Sequence, residues 1–257
     1  MLTREQVREF EDVGMIVAPS LFDAAEIENM SRCFDVLEEM ALGLSATGML
    51  DGAQFVLGEK NGHQVINRVV WAGGSQPDLL AIGADERLVL PAAQLLGSNK
   101  IEQLLSQAHF KRPHDGVIFG WHQDIQHRDK GGGTWMDVNG CGSYVQTLIV
   151  IDDMTADSGP LKFIPGSSRW GRVDFGDHDY DKPDYDPKTP PEFHEDQAIT
   201  IAAHAGDTLF FGPYTAHASF ENVSDTYRRV FINGYAYPGA NSRIYPGAGL
   251  GRTIQVD

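Results

Sequence analysis

From about residue 107 the chain breaks into short apolar runs separated by turn-forming residues, and this spacing limits its fold more than any other feature. The runs are VIFGW (117–121), SYVQTLIVID (143–152), LKFIP (161–165), AITIAA (198–203), DTLFFG (207–212), AHASF (216–220) and RRVFINGYAY (228–237). Many short strands at this spacing argue for an antiparallel sandwich or barrel. The N-terminal part reads as helical. Thr3 and Gln6 have capping-box spacing, Val7, Phe10 and Val13 follow at helical intervals, and Gly14 is the stop. MIVAPSLF (15–22) reads as a short strand and 23–41 as a second helix, while 79–106 suggests further helices broken at Gly83 and Gly97. No repeat or flexible linker divides the chain. It is expected to be one domain over 1–257: a largely helical preface to about 106, a β core over about 107–240 and a tail over 241–257.

Charge bounds the partners. Twenty basic against 36 acidic residues give a net charge of −16, which repels phosphate backbones and anionic lipid, so neither nucleic acid nor a membrane is expected. The same field disfavours polyanionic substrates such as coenzyme A thioesters, unless a local basic pocket overrides it. Two cysteines cannot make a disulfide framework, and the charged start MLTREQVREF does not resemble an export signal. No apolar run approaches the roughly 18–20 residues that span a bilayer. The expectation is a soluble, cytoplasmic protein, monomer or homodimer, acting on a small molecule.

Within GWHQDIQH (120–127), His122 and Asp124 stand two apart, a spacing that lets both reach one ion from one face of a strand. The tripeptide alone decides nothing, because a chance H-x-D is common in a chain this rich in both residues. His217, opening a later strand, is the best third donor. Two imidazoles and one carboxylate leave the opposite side of an octahedral ion open, which suits non-haem Fe(II). If the co-substrate is 2-oxoglutarate, its distal carboxylate needs a fixed cation, and an arginine fork matches it best. Arg228, eleven residues after His217, can come alongside Ser219, whose hydroxyl lies on the His217 face. Arg229 is the alternative to Arg228. His127, five residues from His122, is read as surface or supporting rather than as a ligand.

Together GWHQD, DDMTADSGPLKFIPGSS (152–168) and HASFENVSDTYRR (217–229) resemble the phytanoyl-CoA dioxygenase-like family of Fe(II)/2-oxoglutarate oxygenases. The resemblance runs over essentially the whole chain. It implies a double-stranded β-helix (jelly-roll) core with N-terminal helices packed against it. Its expected cofactors are Fe(II) on His122, Asp124 and His217, and 2-oxoglutarate on Arg228 and Ser219, with O2 as oxidant. It also suggests Lys111 and Gln107 near 2-oxoglutarate and Gln146 on the substrate side, with Leu148 where some relatives have tryptophan; Trp121 is a further candidate on the substrate side, core packing being the commoner role of such an aromatic. Asp124 matters further, since related halogenases lack this carboxylate, so hydroxylation is favoured over chlorination, with desaturation or cyclisation open. The expected reaction is hydroxylation of an unactivated C–H in a small polar or cationic metabolite, releasing succinate and CO2. The competing readings are a zinc hydrolase or cupin-type enzyme on the same triad, an acyl-CoA hydroxylase of the same family, and a non-catalytic binding protein. The acidic, proline-rich stretch 174–197 reads as a solvated loop or a lid over the barrel mouth.

Overall fold

Helix α1 (Arg4–Val13) forms where the capping box places it: the Thr3 hydroxyl accepts from the Gln6 N–H, and the Gln6 side chain accepts from the Thr3 N–H. Gly14 ends it at φ 89°, a left-handed conformation that only glycine adopts cheaply. A computed structural model describes residues 1–60, 62–128, 132–176 and 194–256. After α1 come β1 (Met15–Ala18) and α2 (Ala24–Leu42), the latter capped by Asp23 and Glu26. A meander follows, β2 (Gly48–Leu50), β3 (Ala53–Lys60) and β4 (His63–Val70), and then α3 (Pro77–Ile82) and α4 (Glu86–Leu96), ending at Gly83 and Gly97. β5 (Lys100–His109), β6 (Phe119–His122), α5 (Ile125–Arg128), β7 (Tyr144–Val150), β8 (Lys162–Phe163) and β9 (Ile199–Thr200) lead into β10 (Thr208–Phe211), β11 (His217–Ser219), β12 (Val230–Ala236) and β13 (Arg252–Gln255).

Two expectations for the N-terminal part fail. It is not largely helical, since β1 to β5 lie within it, and residues 100–106 are strand rather than helix. Ile101, Leu104, Leu105 and Ala108 do recur at helical spacing, but Gln103 and Ser106 between them are also fully buried. The Gln103 amide donates to Asn233 Oδ1 at 2.8 Å, and Ser106 Oγ accepts from the Gly73 N–H. A strand covered on both faces has no alternation to read. The tail is also more than a tail, because β13 pairs with β5.

Among the described residues, one sheet runs β1-β10-β7-β12-β5-β4-β3-β2 with β13 on β5, and a smaller one runs β6-β11-β8-β9. The larger sheet divides two apolar layers. Val145, Ile149, Phe210 and Phe231 face α2, packing with Phe34, Leu37 and Ala41. Their strand neighbours Leu148, Val150, Leu209, Phe211, Val230 and Ile232 face the smaller sheet with Leu161 and Phe163. This is a jelly roll with helices over its outer face. Burying each large side chain of the helix-facing layer contributes roughly 1.5–3 kcal/mol. Most of the acidic, proline-rich stretch read as a solvated loop or a lid, residues 177–193, lies outside the described residues. Among the described residues no helix is long and apolar enough to cross a membrane.

Candidate active site

Between the two sheets lies a cavity of about 510 Å³ whose lining includes His122, Asp124, His217, Ser219, Arg228, Gln107 and Gln146. One donor atom from each of His122, Asp124 and His217 lies within 4.8 Å of the others, and all three residues are buried. β6 and β11 place the imidazoles, because His122 and His217 are register partners across that ladder, with ring centroids 4.1 Å apart. The carboxylate arrives differently from the expectation. β6 ends at His122, and Asp124 occupies the turn before α5, with its Oδ1 4.0 Å from His122 Nε2.

Three local devices hold this geometry. The His122 and His217 Nδ1 atoms sit 2.7 and 2.8 Å from the Gly120 and Thr215 carbonyls, an arrangement that turns each Nε2 toward the cavity. The Thr215 hydroxyl in turn donates to the Gly14 carbonyl at 2.7 Å, tying the end of α1 to the strand that carries His217. A Cβ on Gly14 would meet that hydroxyl oxygen at 2.7 Å. Gln123, fully buried, points away from His122: its amide donates to the Gly171 and Tyr214 carbonyls and its oxygen accepts from the Val173 N–H. The residue between the two donors thus anchors the turn.

The GPLKFIPGS stretch explains itself at the other end of the cavity. Gly159, at φ 71° and with no room for a Cβ beneath Phe220 O, delivers its carbonyl to Arg228 Nη2 at 2.7 Å. Gly166 turns the chain at φ 75°, and Ser167 Oγ joins Ile164 O to the Ala216 N–H. Arg228 also donates to Ser219 Oγ at 3.2 Å. Burial pushes its pKa down to about 10, so it remains cationic at neutral pH. Its neighbour Arg229 points to the other face, onto Asp152 at 2.8 Å and Asp35 at 2.7 Å. That settles which arginine faces the cavity.

Two expected site residues lie elsewhere. Lys111 does not line the cavity: its fully buried ammonium donates to Ser219 O at 2.9 Å and to Phe220 O, and burial holds its pKa well below the usual lysine value. It braces the strand carrying Ser219. Trp121 packs with Ile164, Phe175 and Ala216 behind the smaller sheet, because adjacent strand residues face opposite ways. Gln107 meets His109 Nε2 at 2.9 Å, and Gln146 accepts from the Tyr144 hydroxyl at 2.8 Å. That hydroxyl fits only because residue 234 is glycine; a Cβ there would lie 2.0 Å from it. His109, Arg68, Arg128 and Arg243 also line the cavity, although no local motif marked them, and His127 stands edge-on to His122 with ring centroids 5.4 Å apart.

The donor set fits a divalent cation. Asp124 Oδ2 is buried and, among the described residues, has no hydrogen-bond partner, a costly state for a carboxylate unless a cation completes it. Arg228 Nε is likewise buried without a partner, as the distal end of a dicarboxylate would require.

Comparison with known proteins agrees. The profile of the family described as phytanoyl-CoA dioxygenase (PhyH) matches residues 10–230. The chain is 26% identical over 244 residues to the ectoine dioxygenase of Bordetella bronchiseptica, covering 87% of this chain and 71% of that one. It is 30% identical over 167 residues to the L-proline trans-4-hydroxylase of Streptomyces griseoviridis, covering 58% and 59%. EvdO2 from Micromonospora carbonacea var. aurantiaca, solved with 2-oxoglutarate, shares the fold at TM-score 0.69 and 18% identity over 98% of each chain. EctD from S. alaskensis, solved with 2-oxoglutarate and 5-hydroxyectoine, does so at 0.67 and 20% over 93% and 77%. The chain belongs to the phytanoyl-CoA dioxygenase (PhyH) family, and with it to the Fe(II)- and 2-oxoglutarate-dependent dioxygenases.

Proposed function

We propose that this member of the phytanoyl-CoA dioxygenase family hydroxylates an unactivated C–H bond of a small polar metabolite, an amino acid, amine or natural-product intermediate. One observation carries the reading: the three clustered donors share a cavity with a buried Arg228 that is paired to Ser219 and to no carboxylate among the described residues. A triad alone suits several metal chemistries. The arginine calls for an anionic co-substrate, and a zinc hydrolase on the same triad gives it no task.

Bound Fe(II), 2-oxoglutarate and O2 supply the oxidative decarboxylation that yields succinate, CO2 and the oxidising equivalent for the C–H bond. The chain supplies the rest. His122 and His217 would hold the metal through Nε2, their Nδ1 atoms being engaged by backbone carbonyls, and Asp124 would add the anionic ligand whose presence favours hydroxylation over chlorination. Arg228 would take the distal carboxylate of 2-oxoglutarate, with Ser219 Oγ donating beside it. Leu148, Leu161, Phe211, Val230 and Ile232 wall the cavity with apolar surface and limit water around the reacting groups. Gln107 and Gln146 add neutral polar contacts that can orient a substrate.

Anaerobic addition of 2-oxoglutarate to the Fe(II)-loaded protein is expected to raise the visible absorbance of a metal–oxo-acid chelate, and His217→Ala to abolish it. Under air, succinate is expected to form at a rate stimulated by substrate. A wild-type protein that binds Fe(II) but gives no such absorbance would sink the reading.

A further inference from the structure

The cavity is cationic although the chain carries a net charge of −16. Among the described residues Arg68, Arg128, Arg228 and Arg243 line it, against Asp124 as the one carboxylate. With Arg228 assigned to the co-substrate, Arg128 and Arg243 cluster at a different place, while Arg68 pairs by register with His109, beside the Arg228 end. Arg128 is 4% exposed, and α5 sets it one turn beyond Asp124, with its Nε 3.4 Å from the Asp124 carbonyl. Its Nη1 donates to the Tyr245 hydroxyl at 3.1 Å, and its guanidinium lies 4.6 Å above the Tyr144 ring. Arg243 lies 4.7 Å above the Tyr245 ring and donates to the His127 carbonyl. Among the described residues neither Arg128 nor Arg243 is in salt-bridge contact with a carboxylate, although the charge of Asp124 supports the Arg128 cation from farther off. Burial lowers the Arg243 pKa, and the charges of Arg128 and Arg68 lower it further. Gathering like charges in a secluded pocket is unfavourable until an anion joins them.

This end is distinct from the Arg228 end. Arg228 precedes Val230, whose β7 partner is Val150, whereas Arg128 stacks on Tyr144, whose β12 partner is Ala236. Six residues of strand separate those anchor points, roughly 20 Å at about 3.4 Å per residue. The triad lies between them: the Phe211 ring is 4.9 Å from the His217 ring, and Phe211 pairs with Gln146 in the middle of β7.

We infer that the substrate carries a carboxylate and that Arg128 and Arg243 bind it, which presents the rest of the molecule to the triad from the side opposite 2-oxoglutarate. The inference rests on the oxygenase reading above and narrows it: acids are accepted and simple amines rejected. It also reverses the lean toward cationic substrates that net charge alone suggests. Arginine forks match carboxylates in two parallel hydrogen bonds, and Tyr144 and Tyr245 hold the Arg128 guanidinium in one plane.

A panel of amino acids, each matched with its decarboxylated amine (L-proline with pyrrolidine, for example), tests this in two ways. Calorimetry on the metal-free protein reads binding, and succinate formation by the loaded enzyme reads stimulation. Acids are expected to bind and stimulate at least tenfold better than their amines. Arg128→Gln and Arg243→Gln should each weaken acid binding tenfold or more, with Arg128→Lys intermediate. The 2-oxoglutarate midpoint of the anaerobic absorbance should not move, and melting curves identify any variant that fails to fold. Three results each overturn the proposal: amines matching acids, no acid binding the metal-free protein, or Arg128→Gln shifting the 2-oxoglutarate midpoint instead of acid binding. Failure of the absorbance itself counts against the oxygenase reading, while the calorimetry still decides the carboxylate site.

Discussion

The two faces of the larger sheet are built from alternate residues of the same strands, yet they follow opposite rules. Facing the helices, Phe34, Phe55, Phe110 and Phe231 form a dry apolar layer, and Arg229, which points that way, is matched by Asp152 and Asp35. Facing the cavity, β5 presents Gln107 and His109, and among the described residues the Arg228 side chain meets only a hydroxyl and a carbonyl. One residue step therefore separates a charge satisfied by the protein from one left for a ligand. The comparison teaches that stability and binding are divided here by strand alternation rather than by distance.

The sharpest way to break that division is His217→Ala, expected to lower succinate formation about a thousandfold or more while changing stability far less, as denaturation of the metal-free protein would show. Its counterpart is Phe231→Ala on the helix face. Urea unfolding should reveal a loss of about 3–5 kcal/mol, with 2-oxoglutarate affinity retained in the folded fraction. If that affinity collapses too, the two faces are not independent. Next come the paired arginines. Arg228→Gln should raise the 2-oxoglutarate midpoint roughly 10- to 100-fold, the effect of losing a charged hydrogen-bond pair of about 1.5–3 kcal/mol, with little cost to folding. Arg229→Gln should do the reverse, destabilising the chain and leaving the midpoint in place.

The smallest effect is a pH dependence. Burial, with Arg68, Arg228 and Lys111 nearby, holds the His109 pKa well below 6.5, so this imidazole stays neutral in the folded chain. The unfolded chain binds that proton near pH 6.5 and the folded chain does not. His109 therefore costs stability progressively as pH falls below about 6.5, by up to about 1.4 kcal/mol per unit, and costs nothing above it. Unfolding measured between pH 7 and 5 should show a shallower slope in His109→Gln; an unchanged slope would remove His109 from this account.

The convergence of His122, His217 and Ser219 was legible because strand periodicity ties each residue to a face and the apolar runs locate the strands; Asp124 and Arg228 were reached by their spacing from these, although both lie just outside the strands. Period two also predicts that Trp121, next to His122, turns away from the cavity. Arg128 and Arg243 were not legible. They come from a four-residue helix and a C-terminal loop that meet through Tyr245, and no local pattern announces such a meeting. Net charge misled for a related reason, since an average over the surface says little about the sign inside one pocket. In β5 the apolar positions imitate a helix because the buried polar residues between them are satisfied by Asn233 of the neighbouring strand and by the Gly73 N–H.

The pairing of His122 with His217 across β6 and β11 has a consequence for folding. A slip of one residue between these strands would turn one imidazole to the far side of the sheet and dismantle the donor set. The short ladder of the smaller sheet has few interactions with which to reject such a slip. A divalent cation, binding only the correct register, would act as its proofreader, so the rate at which refolding chains acquire metal affinity reports when β6 and β11 find their alignment.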